Sequence, residues 1–348
     1  MDPQLAFTLL TMVHEPRAMY LAQCVEPEIC AEAMQAFDAI TLTSFRSVFG
    51  QDISPYWMEH PAGAGLYSMH RLRKTIHERV TTPGWRTSPG ADSLTHVVLS
   101  ELGPPKGQNE LAHVHSATGH KSREWLYYRP GNHMQPHKFL DALRIRCRAT
   151  HVPDMVCTCG IKIDAFPNHL LSCRDNRDYT WTHRHNEVLY EIARVSRMYG
   201  LTVVVEPRCY SSAEDKRRPD LTFCLGLRSV AADLTIVDAT CPSHTAAGAS
   251  EQGKVASDAA YEKIDKHTEA VTAFGHTFFP LAMETLGLVD HRATEMFRRI
   301  ALELPAGHLR KHFLREVSYA MTTTAQAGNA AILDTARRRL RGRAALVH

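Results

Sequence analysis

Four residues able to ligate a metal lie within 17 positions: Cys157-Thr-Cys159-Gly160, then His169, then Cys173, a spacing of C-x-C-x9-H-x3-C. Thiolates and an imidazole are the soft and borderline donors that wrap one tetrahedral Zn²⁺. Gly160 lets the backbone turn tightly after the second cysteine. The protein fills all four positions and leaves none for water, so the role expected is structural. The alternative is three unpaired core cysteines and a surface histidine.

A second set is carboxylic. Pro219-Asp220 opens a predicted strand after the basic stretch Lys216, Arg217 and Arg218, and Asp233 stands thirteen residues later on the next predicted strand. Asp233 shares a face with Thr235 and Val237, while Leu234 and Ile236 take the other. A hairpin would bring the two carboxylates together as hard ligands for Mg²⁺ or Mn²⁺. Such ions activate water and neutralise developing charge in phosphodiester hydrolysis. A nearby lysine adds positive charge for the transition state. Lys254, Lys263 and Lys266 follow on a predicted helix, and Lys263 and Lys266, three apart, can point to similar sides. Spacing alone does not choose, because aspartates this far apart are common. Asp220 also reads as a residue opening a strand, and Asp233 as an edge residue. Asp238 competes from the opposite face, or ends the strand in Val237-Asp238-Ala-Thr-Cys-Pro.

The elements that would position these groups follow from periodicity and punctuation. Val188, Leu189, Ile192 and Val195 have helical spacing in 185–199, which Gly200 stops. The runs 201–205, 221–225 and 230–237 read as strands, the last two joined through Gly226. A helix is expected over 254–274, then a strand over 277–283 that Pro280 confines to an edge. Helices at 291–301 and 308–322 complete this part. Upstream, 5–50 reads mainly as helix, with Pro27 at a first-turn position. Residues 82–137 are rich in Gly, Pro and His and read as loop, with His113, His115 and His120 exposed. A helix follows over 138–148, carrying Arg144, Arg146 and Arg148.

At 348 residues the chain is long enough for two or three domains, and 44% hydrophobic with 22% charged residues is ordinary globular composition. No apolar run reaches the roughly 18 residues of a membrane span, and no signal peptide is read over Met1–Pro16. Nine cysteines argue for a reducing compartment and metal ligation rather than a disulfide scaffold. The net charge of +3 is unevenly spread: from Phe297 onward ten Lys/Arg face three Asp/Glu, so this end is +7 and the remainder −4. Arg337, Arg338, Arg339, Arg341 and Arg343 can contact phosphates, or form a solvated helix face. Arg174, Arg177 and Arg184 lie near the cysteine–histidine cluster.

In order, the motifs are C-x-C-G, H-x3-C, Arg184-His185-Asn186, Glu206-Pro207, Arg218-Pro219-Asp220-Leu221, Asp233-Leu-Thr-Ile-Val and Lys263-x-x-Lys266. This order resembles the C-terminal region of non-LTR retrotransposon reverse-transcriptase proteins, which carry a zinc knuckle and a restriction-like endonuclease. Glu26-Pro27, Ala36-Phe37-Asp38, the stretch from Pro61 to Leu72 and Phe279-Pro280 through Gly287 extend the likeness. The resemblance implies an α/β fold with a PD-(D/E)xK core (helix, three strands, helix, strand), after a mainly helical region and a small knuckle. Its divisions fall at 1–80 (post-palm or thumb segment), 81–150 (linker and helical subdomain), 151–180 (knuckle), 181–325 (endonuclease) and 326–348 (basic tail). It implies Zn²⁺ on Cys157, Cys159, His169 and Cys173, and Mg²⁺ or Mn²⁺ on Asp220 and Asp233, with Lys263 or Lys266 beside them. Arg184, His185, Arg217, Arg218, Arg337, Arg338 and Arg339 are its nucleic-acid contacts, with His185 equally open to a core or capping role. The implied activity is nicking of target DNA in target-primed retrotransposition, with element RNA as a further partner and the nucleus as the place of work. Two departures stand out: Thr235 occupies the lysine position of a simple D-x-K, and His267 stands where an aromatic often follows the last lysine. No F/Y-x-D-D polymerase motif occurs, so reverse transcription is not expected of this chain alone, which looks like a truncated or derived element. A non-catalytic DNA- or RNA-binding remnant is the alternative.

Overall fold

The computed structural model of the chain describes residues 2–11, 27–50, 53–59, 64, 105–130, 133–149, 156–157, 159–161, 168–173, 181–210, 218–226, 228–305 and 307–344. They form a mixed α/β structure of eleven α-helices and one four-stranded sheet. The chain divides into two compact units, Met1–Lys106 with Leu126–Pro153, and Gly107–Trp125 with Asp154–His348.

The first unit is helical: α1 (Pro3–Leu9), α2 (Pro27–Phe49), α3 (Pro55–Glu59) and α5 (Pro136–Arg146), with α4 (Gln108–Thr118) excluded from it. All four of these helices start on proline, whose missing N–H is no loss in a first turn. Phe7, Phe45, Phe49 and Phe139 are fully buried, and Phe45 and Phe49 approach to 4.5 Å between ring centroids. The buried Gln4 amide bonds the Tyr127 carbonyl and the Met134 N–H, tying α1 to the loop before α5.

The second unit is built on the sheet. Helix α6 (Asn168–Ser172) precedes α7 (Thr182–Met198), and then come β1 (Thr202–Val205), β2 (Leu221–Leu225) and β3 (Arg228–Val237). Helices α8 (Thr245–Ser250) and α9 (Lys254–Ala273) cross to β4 (Thr277–Glu284), and α10 (His291–Ala301) and α11 (His308–Ala344) end the chain. The strand order is β1-β2-β3-β4; the first three are antiparallel neighbours and β4 runs parallel to β3. Pro280 lies on edge strand β4, where a missing N–H is tolerated. One face of the sheet carries the main core. Val188, Leu189, Ile192 and Val195 of α7 pack there with Leu221, Phe223, Leu234, Leu281, Met296, Phe297, Ile300 and Phe313. The other face receives α9, where Ala256 and Ala260 meet Ala282 and Leu288. Residue alternation along β3 therefore sends Leu234 into the main core and Asp233 toward α9.

Two expectations need correcting. Residues 107–125 are not linker: Gln108–Thr118 is a helix of the sheet unit, and His113 is fully buried rather than exposed. Helix α4 packs on α8, with Asn109 Nδ2 donating to the Thr240 carbonyl (2.8 Å) and His115 Nδ1 bonded to the Gly248 carbonyl (2.9 Å). Its buried residues are Ala112, His113, Val114, Ser116 and Ala117, mostly small or polar, which draw no wide apolar stripe. The C-terminal end is likewise no separate tail, because α11 runs unbroken to Ala344 with Ala330, Ile332, Leu333 and Ala336 buried. The part of the 82–137 stretch from 82 to 104 lies outside the described residues.

Candidate functional site

The knuckle is built by a tight turn and a short helix. Gly160 adopts φ +87°, its N–H donates to the Cys157 carbonyl (2.9 Å), and the Cys157 N–H bonds Ile161 O (2.8 Å). Helix α6 then supplies His169 and leads directly to Cys173. The three sulfurs and one imidazole nitrogen lie within 4.8 Å of one another. Cys157 Sγ and Cys173 Sγ are 3.5 Å apart, and Cys159 Sγ is 3.1 Å from His169 Nε2. Ligands about 2.3 Å from a tetrahedral zinc stand about 3.8 Å apart, so the donor set and its spacing fit such a metal. Helix α6 packs on α11, which anchors the cluster to the sheet unit. Arg174 and Arg177 lie outside the described residues.

The carboxylates occupy the other centre. In the β2–β3 register Leu221 faces Ala232; one step further, Asp220 falls across from Asp233. Asp220 Oδ2 accepts the Leu234 N–H at 2.7 Å and stands 3.3 Å from His185 Nε2 on α7. His185 is thus placed against Asp220, neither in the core nor at a cap.

Asp233 is buried, at 4% exposure, beneath α9. Lys263 Nζ lies 2.5 Å from its Oδ2 and His267 Nε2 3.3 Å from its Oδ1. The lysine ammonium thus compensates the buried Oδ2 at close range. Burial alone pushes the Asp233 carboxyl up, but His267 and Lys263 outweigh it and hold the group below its ordinary value. The His267 ring lies against Phe278, 5.3 Å between centroids. Lysine and histidine sit at i and i+4 of one helix, which aligns both with one carboxylate. The sequence noted His267 only as a departure; its spacing from Lys263 was the signal that it belongs to the site.

The other candidates separate. Lys266 is exposed, and Lys254 pairs with Asp258 within its own helix. Asp238 ends β3: its Oδ1 accepts Thr240 N–H (2.9 Å) and Thr240 Oγ1 (2.7 Å), while burial raises its pKa. Arg184 corrects an expectation. It is buried, donates to Asn329 Oδ1 at 2.6 Å, and burial lowers its pKa to about 10, so it ties α7 to α11 rather than meeting phosphate. Arg218 is exposed and pairs with Glu206 at 2.8 Å, whereas Arg217 lies outside the described residues. Arg338 pairs with Asp334 along α11, flanked by the half-buried Arg337 and Arg339.

Among the described residues, Cys157, Cys159, His169 and Cys173 are the one group of three or more Cys, His, Asp or Glu close enough to share an ion; Asp220 and Asp233 form no such group. Mg²⁺ is commonly held by one or two carboxylates, completed by waters and substrate phosphates. Asp220 and Asp233, across from one another on adjoining strands, are two carboxylates of that kind. No protein-family profile and no curated protein sequence matches the chain.

Proposed function

We propose that the chain carries a divalent-cation-dependent DNA endonuclease of the PD-(D/E)xK type with a zinc knuckle, related to those of non-LTR retrotransposon proteins. The observation that carries this reading is the reach of Lys263 from α9 back onto Asp233 of β3, 2.5 Å apart, with Pro219-Asp220 at the start of the neighbouring strand. Helix α7, strands β1 to β3, helix α9 and strand β4 stand in the order such a core requires. The shifted lysine, supplied by the helix rather than by position 235, accounts for the incomplete D-x-K.

Each group then has a task. The Leu234 N–H and His185 engage Oδ2 of Asp220, and Oδ1 would be the oxygen offered to a ligand. His267 Nε2 stands 3.3 Å from Oδ1 of Asp233 and favours its charged form. The Lys263 side chain is 24% exposed, so its charge remains within reach of a phosphate oxygen. When bound, Mg²⁺ or Mn²⁺ supplies water activation and charge neutralisation. Zinc at the knuckle has a structural part. A DNA substrate makes the nucleus the place of action.

A second reading, a nucleic-acid-binding module without catalysis, is supported by the knuckle and the exposed arginines of α11. Nicking of supercoiled plasmid separates the two. Relaxed product is expected from the wild type with Mg²⁺ or Mn²⁺, and none with EDTA or from Asp233→Ala. Equal product from wild type and Asp233→Ala would sink the endonuclease reading. Intact plasmid in all lanes, with salt-sensitive DNA binding retained, would leave the binding module.

A further inference from the structure

We infer that Glu206 is a positioning residue that orients Arg218 beside Asp220 for contact with the backbone phosphate at the cleavage site, an inference that rests on the endonuclease reading. Glu206 directly follows β1 with φ +50°, one of only three non-glycine residues with positive φ among those described. That left-handed conformation is costly for a residue with a Cβ and concentrates where function requires it. The Glu206 side chain itself is 52% exposed, while the turn it makes leads into the buried Pro207. The Glu206 backbone N–H donates to the Asp220 carbonyl at 2.7 Å, so the chain keeps pairing with β2 while it turns.

The turn puts the Glu206 carboxylate against Arg218, with Arg218 Nη2 donating to Oε2 at 2.8 Å. Arg218 precedes Asp220 by two residues, across the single buried Pro219. Proline restricts both its own φ and the conformation of the residue before it. The arginine's backbone is thus stiffened by Pro219, its side chain is held by Glu206, and its neighbour is the proposed catalytic aspartate. An isolated pair on an exposed surface stabilises a fold very little. A strained backbone spent on such a pair points instead to where the guanidinium must lie. A guanidinium presents a rigid fork of donors suited to a phosphate diester. Nη2 answers Glu206, and the arginine side chain is 39% exposed, accessible to a strand lying alongside.

The test compares wild type, Glu206→Gly, Glu206→Gln, Arg218→Ala and the Glu206→Gly/Arg218→Ala double variant, with Asp233→Ala as reference. Thermal unfolding, duplex affinity and single-turnover nicking are measured on the full chain. Glycine accepts positive φ without strain, so Glu206→Gly is expected to unfold at the wild-type temperature or above. Its nicking rate at saturating DNA should nevertheless fall roughly ten- to hundredfold, the usual cost of a misplaced positioning group. Glu206→Gln keeps an acceptor oxygen for Arg218 and should recover most of the rate. Arg218→Ala should lose as much as Glu206→Gly, and the double variant no more than either, because the pair acts as one unit. Wild-type nicking by Glu206→Gly beside an inactive Asp233→Ala would overturn the inference and leave the endonuclease reading intact. Additive losses in the double variant would also overturn it, by showing that the two residues act separately. Nicking that Asp233→Ala does not abolish would remove the endonuclease reading and this inference with it.

Discussion

At the scale of single residues, the sheet unit buries several charged groups, and they differ in how they are compensated. Asp233 has a lysine and a histidine and remains acidic. Glu284, at the end of β4, has neither. Burial raises its pKa to about 7; the Ser116 hydroxyl and the Ala256 N–H (3.3 Å) favour the charged form only in part, and Asp238 nearby opposes it. A folded pKa above the ordinary 4.5 means that the fold favours the protonated acid. The stabilisation is complete below about pH 4.5 and is lost as pH rises through 7. Denaturant titrations of Glu284→Gln should therefore show a gain over wild type of up to about 3 kcal/mol at pH 8 and little difference at pH 5. An equal effect at both values would show that the carboxyl does not titrate in this range. Lys263 illustrates what a sequence conceals at this scale. Two lysines three residues apart on a helix read alike until the strand beneath is placed, and only then does one lie over Asp233 while the other meets water.

Among the elements, α11 shows how a neighbour can override local propensity. A glycine inside a helix ordinarily weakens it by about 1 kcal/mol relative to alanine. At Gly328 a Cβ would stand 2.4 Å from Arg184 Cγ and 2.9 Å from its Cβ. Gly328→Ala is accordingly expected to destabilise the protein, by about 1–3 kcal/mol, as overpacking does, and urea denaturation will show the sign. This contact also accounts for the longer helix. Sequence alone suggests a helix over 308–322 and a basic tail from 326, because the residue packed against Gly328 lies 144 positions upstream. The strands were legible for the opposite reason, since β-branched runs bounded by Gly and Pro signal locally. Helix α6, by contrast, has five residues and cannot persist alone. Its stability is expected to come from zinc. The purified chain should contain one zinc per molecule, and Cys159→Ser or a strong chelator should release the metal and expose 157–173 to protease. Unchanged proteolysis of the metal-free protein would show that α11 alone holds the segment.

For the molecule as a whole, the division of the chain is the least sequential feature. The sheet unit takes in 107–125, leaves for 126–153, and resumes at 154. A boundary near 150 is suggested by the Gly- and Pro-rich stretch upstream, but composition cannot reveal that a helix in such a stretch belongs to a sheet formed much later. A fragment of residues 107–348 is expected to unfold in one cooperative transition. One beginning at 154 should lose cooperativity, since it strips α8 of the helix it packs on and leaves Gly248 and Thr240 without their bonds to His115 and Asn109. Calorimetry of the two fragments decides the matter, and matching transitions would mean that α4 is dispensable.

The place of α4 also bears on synthesis. Its partners Thr240 and Gly248 lie 131 and 133 residues further along the chain. At ribosomal speeds of roughly 5–20 residues per second, they emerge on the order of ten seconds after the helix does. Through that interval a segment with Ala112, Val114 and Ala117 on its inward side has left the tunnel with no surface to rest on. The first piece of the sheet unit to be made is among the last that can be fitted, so slowing translation between the two should favour chaperone capture of the nascent chain over folding.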